Sequence, residues 1–260
     1  MVKVRLWQVD CSDSEPVEAR QSRVLEALPE VARGFDFVVL PELWTVGAFN
    51  LAAIRDHHAP DGLVQRLGVL AAEAGVWLHA GSLPLGEVDA EGRAHNTALL
   101  FNPEGRLVSA YRKRHLFGFA DGERTVIAPG DELSVVDTPL GRTGLATCYD
   151  LRFPELFRDL LDLGAETFLL SAGWPTPRYQ HWWVLTQARA IENQALTIAC
   201  NARGVNGDVV LAGGSMIVDA KGQVIVQGGP DDEFVDAEVD PSLAAQWRSE
   251  FPILADRRNE

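Results

Sequence analysis

The sequence predicts an α/β protein built as a four-layer α-β-β-α sandwich, two packed sheets with helices outside. Three observations carry this. Strand-like and helix-like segments alternate along the chain. The order β-α-β-α-β-β-β occurs twice, over roughly residues 1–115 and 140–240. Central segments such as Phe37-Val38-Val39-Leu40 are apolar at every position, as strands covered on both faces are. Two sheets with two helices each bury their inner faces best by packing sheet on sheet. A doubly wound single sheet is the alternative. No long linker, low-complexity run or short repeat divides the 260 residues, so one domain over residues 1–260 is expected.

Each element has its own signal. Lys3 to Val9 reads as a strand. A helix follows from about Pro16, with Val17, Val24, Leu28 and Val31 on one face, the period of an amphipathic helix. After the Phe37–Leu40 strand, Leu63, Leu67, Leu70 and Ala74 mark a second helix, and Val76 to Ala80 the next strand. Thr97 to Phe101 and Leu107 to Tyr111 flank Asn102-Pro103-Glu104-Gly105, a strong turn signal.

The second half repeats the order. Thr143 to Cys148 is a strand, and a helix starts at Pro154 with Leu156, Leu160 and Leu161 inward. Thr167 to Ser171 is a strand. A helix over Gln180–Gln194 carries Val184, Ala188 and Ile191 on one face, and Leu196 to Cys200 follows as a strand. Ser215 to Val218 and Gln223 to Val226 flank Asp219-Ala220-Lys221-Gly222. A last strand runs from Phe234 to Val239, then a polar tail.

Composition narrows the function. The chain is 47% hydrophobic and 23% charged, with a formal charge of −14. An acidic surface repels phosphate backbones and anionic lipid, which disfavours nucleic-acid and membrane partners. Cys11, Cys148 and Cys200 are odd in number and widely spaced, which fits neither a disulfide framework nor a zinc site. The six histidines form no HExxH or HxxxH pair, and no GxGxxG or P-loop occurs. No metal and no cofactor is expected. Without an apolar leader at Met1, a cytoplasmic protein is expected.

Three segments carry chemistry. In Ala146-Thr147-Cys148-Tyr149-Asp150 an apolar strand ends at a cysteine, and a short link leads to a Pro-started helix. A thiol at such a rim is reachable, and nearby N–H groups are available for an oxyanion. Its ordinary pKa of ~8.5 calls for a neighbouring base or cation. The alternative is a buried structural cysteine, the reading adopted for Cys11 and Cys200. In Leu40-Pro41-Glu42 a carboxylate projects just past an apolar strand, a setting that favours proton exchange with a thiol; a surface glutamate is the plainer reading. In Tyr111-Arg112-Lys113-Arg114-His115, alternation places Tyr111, Lys113 and His115 on one face. A lysine on an inner face needs an acidic partner; a solvated basic cluster is the alternative.

Together LPE (Leu40–Glu42), YRKRHLF (Tyr111–Phe117) and CYDLRFPEL (Cys148–Leu156) resemble the nitrilase superfamily of carbon–nitrogen hydrolases, in order and spacing across almost the whole chain. The resemblance implies the same sandwich fold, a metal-free Glu-Lys-Cys triad, and a homodimer or larger homo-oligomer. It makes Glu42 the general base, Lys113 the oxyanion stabiliser and Cys148 the nucleophile. Glu123, in Gly122-Glu123-Arg124, would orient Lys113 or assist proton transfer; the Tyr149 N–H would complete the oxyanion site; Trp174 would line the pocket.

CYDLRFPE further resembles the Nit-protein and omega-amidase branch. That implies a small omega-amide substrate, such as 2-oxoglutaramate or deaminated glutathione, cleaved through a Cys thioester with release of ammonia. Arg178 and Arg203 are candidates to hold the substrate's remote carboxylate, and surface ion pairing is the alternative for each. Arg152 is expected to pair with Asp150. N-carbamoyl amide hydrolysis, nitrile hydrolysis, an acyl acceptor other than water, and a non-catalytic interaction protein on this fold remain open at the level of sequence.

Overall fold

The computed structural model describes residues 1–86 and 89–258. The chain begins with β1 (Val2–Trp7), α1 (Val17–Val31), β2 (Phe37–Val39), a short α2 (Leu51–Asp56), α3 (Asp61–Ala74), β3 (Trp77–Leu85), β4 (Ala94–Phe101) and β5 (Leu107–Arg112). After a short β6 (Ile127–Ala128) come β7 (Val135–Thr138), β8 (Gly141–Thr147), α4 (Pro154–Asp162), β9 (Thr167–Ala172), α5 (Tyr179–Asn193) and β10 (Leu196–Asn201). The hairpin β11 (Arg203–Asn206) and β12 (Val209–Ala212) precedes β13 (Met216–Val218), β14 (Val224–Gln227), β15 (Phe234–Val239) and α6 (Ser242–Glu250).

Two large sheets form, ordered β15-β1-β2-β3-β4-β5, with β6 paired to β4, and β14-β13-β10-β9-β8-β7; β11 and β12 make a separate two-stranded sheet. Alternation sorts their side chains into layers. Phe37 and Val39 of β2 join Leu145, Leu169 and Ile198 of the other sheet in a core between the sheets. Val38 and Leu40 point the other way, onto α1 and α3 through Val24, Leu28, Leu67 and Leu70. In the second sheet Ala146, Phe168 and Leu170 meet Leu156, Phe157 and Trp182 of α4 and α5. The four-layer α-β-β-α arrangement follows directly, and the single doubly wound sheet is set aside.

Both predicted turns use one device. Asn102 Oδ1 accepts from the Glu104 and Arg106 N–H groups, and Asp219 Oδ1 from those of Lys221 and Gln223. Gly105 and Gly222 close the two turns at φ 75° and 86°, the left-handed region where glycine carries no Cβ penalty.

Several elements differ from expectation. β15 does not stay with the second sheet; it pairs antiparallel with β1, Val2 opposite Val239. The polar tail holds α6, whose Arg248 guanidinium donates to the carbonyls of Asn193 and Gln194, closing the C-terminus of α5. α5 keeps its period but is turned over. Trp182, Thr186, Arg189 and Asn193 face inward, while Val184 and Ile191 are 44% and 50% exposed. The polar inward residues are satisfied locally: Thr186 Oγ1 donates to Trp182 O, and Arg189 Nη2 to Leu151 O at 2.8 Å.

Candidate active site

Cys148 follows the last residue of β8 and opens a 3₁₀ turn over Cys148–Arg152. Its φ is 47°, an uncommon conformation for a side-chain-bearing residue that the surroundings must hold in place. Asp150 does this. It is fully buried, and its carboxylate accepts from Tyr111 Oη (2.7 Å), the Thr147 N–H (2.9 Å), the His115 N–H (3.0 Å) and His115 Nδ1 (2.8 Å). One carboxylate thus ties the cysteine turn to the end of β5. These partners leave no role for Arg152 as a brace. Its guanidinium instead lies 4.7 Å from the Trp174 ring centroid, with Nη1 3.1 Å from His181 Nδ1.

Glu42 sits three residues past β2. Leu43, at φ 44°, turns the chain there, and its N–H donates to Ser82 Oγ of β3 at 3.0 Å. Gly81 lies so close to the Pro41 carbonyl that a Cβ would overlap it. The carboxylate is therefore aimed by β3 as much as by β2. Lys113 follows β5, with its N–H bonded to Asn96 O at 2.9 Å. Tyr111 and Lys113 are buried and Arg112 is exposed, as the alternation requires.

These residues converge. Lys113 Nζ donates to Glu42 Oε1 (2.7 Å) and to Glu123 Oε1 and Oε2 (2.8 and 2.7 Å). Glu42 Oε1 also accepts from Asn96 Nδ2 (2.8 Å), and Oε2 from the Gly173 N–H (2.9 Å). The Phe117 N–H binds Glu123 Oε2 at 2.7 Å. Cys148, Glu42, Lys113 and Glu123 line one cavity that opens to solvent.

The electrostatics follow from burial and charge. Desolvation pushes the Cys148 thiol well above its usual pKa, and the facing Glu42 carboxylate pushes further, against the pull of Lys113. Burial alone would lower the Lys113 pKa, but Glu123 and then Glu42 hold the ammonium charged and raise it well above its usual value. Burial raises the Glu123 carboxyl, opposed by Lys113 and reinforced by Glu42. Cys11 and Cys200 lie elsewhere in the core, free and buried, with the Cys11 thiol pushed up to about 12 by desolvation.

The remaining predicted residues divide cleanly. Tyr149, Trp174 and Arg178 line the same cavity. Arg203 does not; its Nη1 faces Asp10 Oδ2 at 3.4 Å on the surface. The cavity also includes Phe49, Phe117 and Arg152, which sequence reasoning left out. Asn96 was missed as well. Its signal is a lone amide on a strand whose same-face neighbours, Ala98 and Leu100, are apolar.

Residues 4–249 match the family described as Carbon-nitrogen hydrolase. The chain is similar to a 2-oxoglutaramate amidase of Paenarthrobacter nicotinovorans, at 40% identity over 96% of this chain and 87% of that protein. It is also similar to a 2-oxoglutaramate amidase of Bacillus subtilis, at 34% identity over 98% of each. The crystal structure of Saccharomyces cerevisiae Nit3, a member of branch 10 of the nitrilase superfamily, superposes with a TM-score of 0.83 at 29% identity, covering 99% of this chain and 97% of that one. A carboxylate–ammonium–carboxylate cluster beside a rim cysteine, in this sandwich, with these relatives, identifies the chain as a carbon–nitrogen hydrolase of the nitrilase superfamily.

Proposed function

We propose that this single-domain enzyme hydrolyses small omega-amides, monoamides of dicarboxylic acids such as 2-oxoglutaramate, with Glu42, Lys113 and Cys148 as its catalytic residues. The observation that carries the reading is the contact of Lys113 Nζ with Glu42 and Glu123 in the cavity that Cys148 lines. The raised thiol pKa keeps Cys148 protonated at rest. Glu42 takes that proton as the sulfur attacks the amide carbonyl. The transfer moves negative charge from carboxylate to sulfur and leaves the net charge of the buried cluster unchanged, so it needs no counter-ion from solvent. The oxyanion lies between Lys113 Nζ and the Tyr149 N–H, one of the first N–H groups of its turn and so without an intrahelical partner. Glu42 returns its proton to the leaving amine, and ammonia departs. Glu42 then deprotonates a water that attacks the thioester carbonyl; the C–S bond breaks, the product leaves as a carboxylic acid, and Glu42 returns that proton to the Cys148 sulfur. Glu123 holds Lys113 throughout.

The substrate class rests on Arg152 and Arg178. Both guanidinium groups border the cavity, and neither has a carboxylate partner among the described residues. Both acids of the cavity are occupied by Lys113. The site thus offers cations to a remote carboxylate and no free acid to an α-ammonium group, which favours a 2-oxo or unsubstituted monoamide over glutamine. Replacing Arg178 by Met is expected to raise KM for 2-oxoglutaramate roughly tenfold to a hundredfold, the scale of a lost charge-assisted contact. KM for an uncharged primary amide should change little. Equal effects on both would overturn the assignment of Arg178.

The exposed α5 face, Trp183, Val184 and Ile191, supports a homodimer in which a second copy covers it. Val184→Asp with Ile191→Asp is expected to halve the mass measured by sedimentation. A wild-type protein that sediments as a monomer would remove the dimer. Three unpaired thiols support a reducing, cytoplasmic setting, which a disulfide in the isolated protein would contradict. Among the described residues no helix is long and apolar enough to cross a membrane.

A further inference from the structure

The cavity has a roof that is held from outside it. Ala48 and Phe49 form this roof. They belong to the loop between Glu42 and α2, and sequence reasoning gave them no role. We infer that Asn206, at the end of β11, is a positioning residue that sets the substrate size the cavity accepts. The inference rests on the omega-amide reading above for its substrates, but not for its geometry.

Asn206 is fully buried. Its Oδ1 accepts the Phe49 N–H at 2.6 Å, and its Nδ2 donates to Asp13 Oδ1 at 2.6 Å. Asp13 also accepts from Asn50 Nδ2 at 3.1 Å and from the Gly207 N–H. The N-terminal loop, the roof and the β11–β12 hairpin therefore share one polar knot, buried at Asn206 and open to solvent at Asp13. Gly47 is part of the fit: it lies at φ 84°, and a Cβ there would overlap the Asn206 carboxamide. A carboxamide is required because it presents one acceptor to an N–H and one donor to a carboxylate. An aspartate of the same shape would set two carboxylates against each other.

The knot reaches the chemistry through packing. Ala48 sits against Gly173 so closely that a Cβ on Gly173 would overlap it, and the Gly173 N–H is bonded to Glu42. The Phe49 ring meets Phe117 edge-on at 5.9 Å, Phe117 meets Tyr149 at 5.3 Å, and the Arg178 guanidinium lies 5.0 Å from the Phe117 centroid. Releasing the Phe49 N–H takes a part-buried donor from its partner, and the loop that this bond holds against the hairpin is freed to move. The aromatic wall then opens.

The test compares two reagents with the same reactive group, iodoacetamide and the bulkier 2-iodo-N-phenylacetamide, by their rates of alkylation at Cys148, located by peptide mass. Asn206→Ala is expected to raise the bulky-to-small rate ratio about tenfold. It should also raise kcat/KM for the six-carbon monoamide adipamate relative to five-carbon glutaramate by a similar factor. Asn206→Asp should behave likewise. Adding Asp13→Asn, which swaps the acid and the amide of the pair and so restores one donor between them, should restore both ratios. Thermal melting confirms that each variant is folded, and if Asn206→Ala is not, the Asn206→Asp and double variants carry the test. Ratios within twofold of wild type in the folded single variants overturn the inference, as does a double variant no nearer wild type than Asn206→Asp. If the wild-type enzyme hydrolyses no monoamide, the substrate reading falls, while the alkylation ratios still judge the clamp.

Discussion

Cys148→Ala is expected to lower ammonia release from 2-oxoglutaramate by roughly four to six orders of magnitude, the scale on which loss of a nucleophile is felt, with no matching change in fold. The reason is local. Among the described residues no second thiol lines the cavity: Cys11 and Cys200 are buried elsewhere in the core, and the Tyr111 hydroxyl is committed to Asp150 at 2.7 Å. Alanine removes the sulfur without disturbing Asp150, whose partners are Tyr111, Thr147 and His115. Alanine also tolerates the φ of 47° no worse than cysteine does, so the melting temperature should move by only a few degrees. Initial rates and a melting curve on one preparation decide the matter. A folded variant that still turns over at a tenth of the wild-type rate removes Cys148 from the mechanism.

Lys113→Met is expected to damage both rate and stability, and the pH dependence separates the two. On the role proposed for Lys113, loss of an oxyanion donor costs about 10²–10³ in kcat. Loss of the cation also strands Glu42 and Glu123 in the interior with only neutral donors, Asn96 Nδ2 and the Gly173 and Phe117 N–H groups. Breaking a buried pair in this way typically costs about 3–5 kcal/mol. The sign follows from Glu123. Its folded pKa is already raised by burial and by Glu42, with Lys113 opposing; removing the lysine raises it further. Below the ordinary carboxyl value of 4.5 the group is protonated in both folded and unfolded chains, so the deficit is smallest there. As pH rises past that value the unfolded chain releases its proton and the folded chain keeps it, so stability falls. Urea unfolding of both proteins from pH 4 to pH 8 should show a gap that widens with pH. A constant gap would mean that the lysine serves packing and not charge.

The strand and helix alternation, the two rim positions and the inner-face lysine were legible because each rests on a short-range rule. A strand's two-residue period places Tyr111 and Lys113 inside whatever the rest of the chain does. Other features depend on partners far away. Arg152 was assigned to Asp150 because they are close in sequence, yet Tyr111 and His115 arrive from β5 and take that carboxylate first. The inward face of α5 is hidden because Val184 and Ile191 are apolar, while Arg189 gains a buried acceptor, Leu151 O, from far outside its own sequence window. Phe49 and Asn206 are separated by most of the chain, and only the hairpin's return brings the amide to the roof.

The pairing of β15 with β1 shapes how this protein is made. During synthesis the first strand leaves the ribosome long before its neighbour exists. At about 5–20 residues per second, one flank of the first sheet waits for tens of seconds as an open edge, apolar on its inner face. Joining chain ends this distant is slow because the intervening loop must close before any contact rewards it. Until β15 has been made and docks, that edge of β1 stays open to other strands, and the β15 pairing closes it.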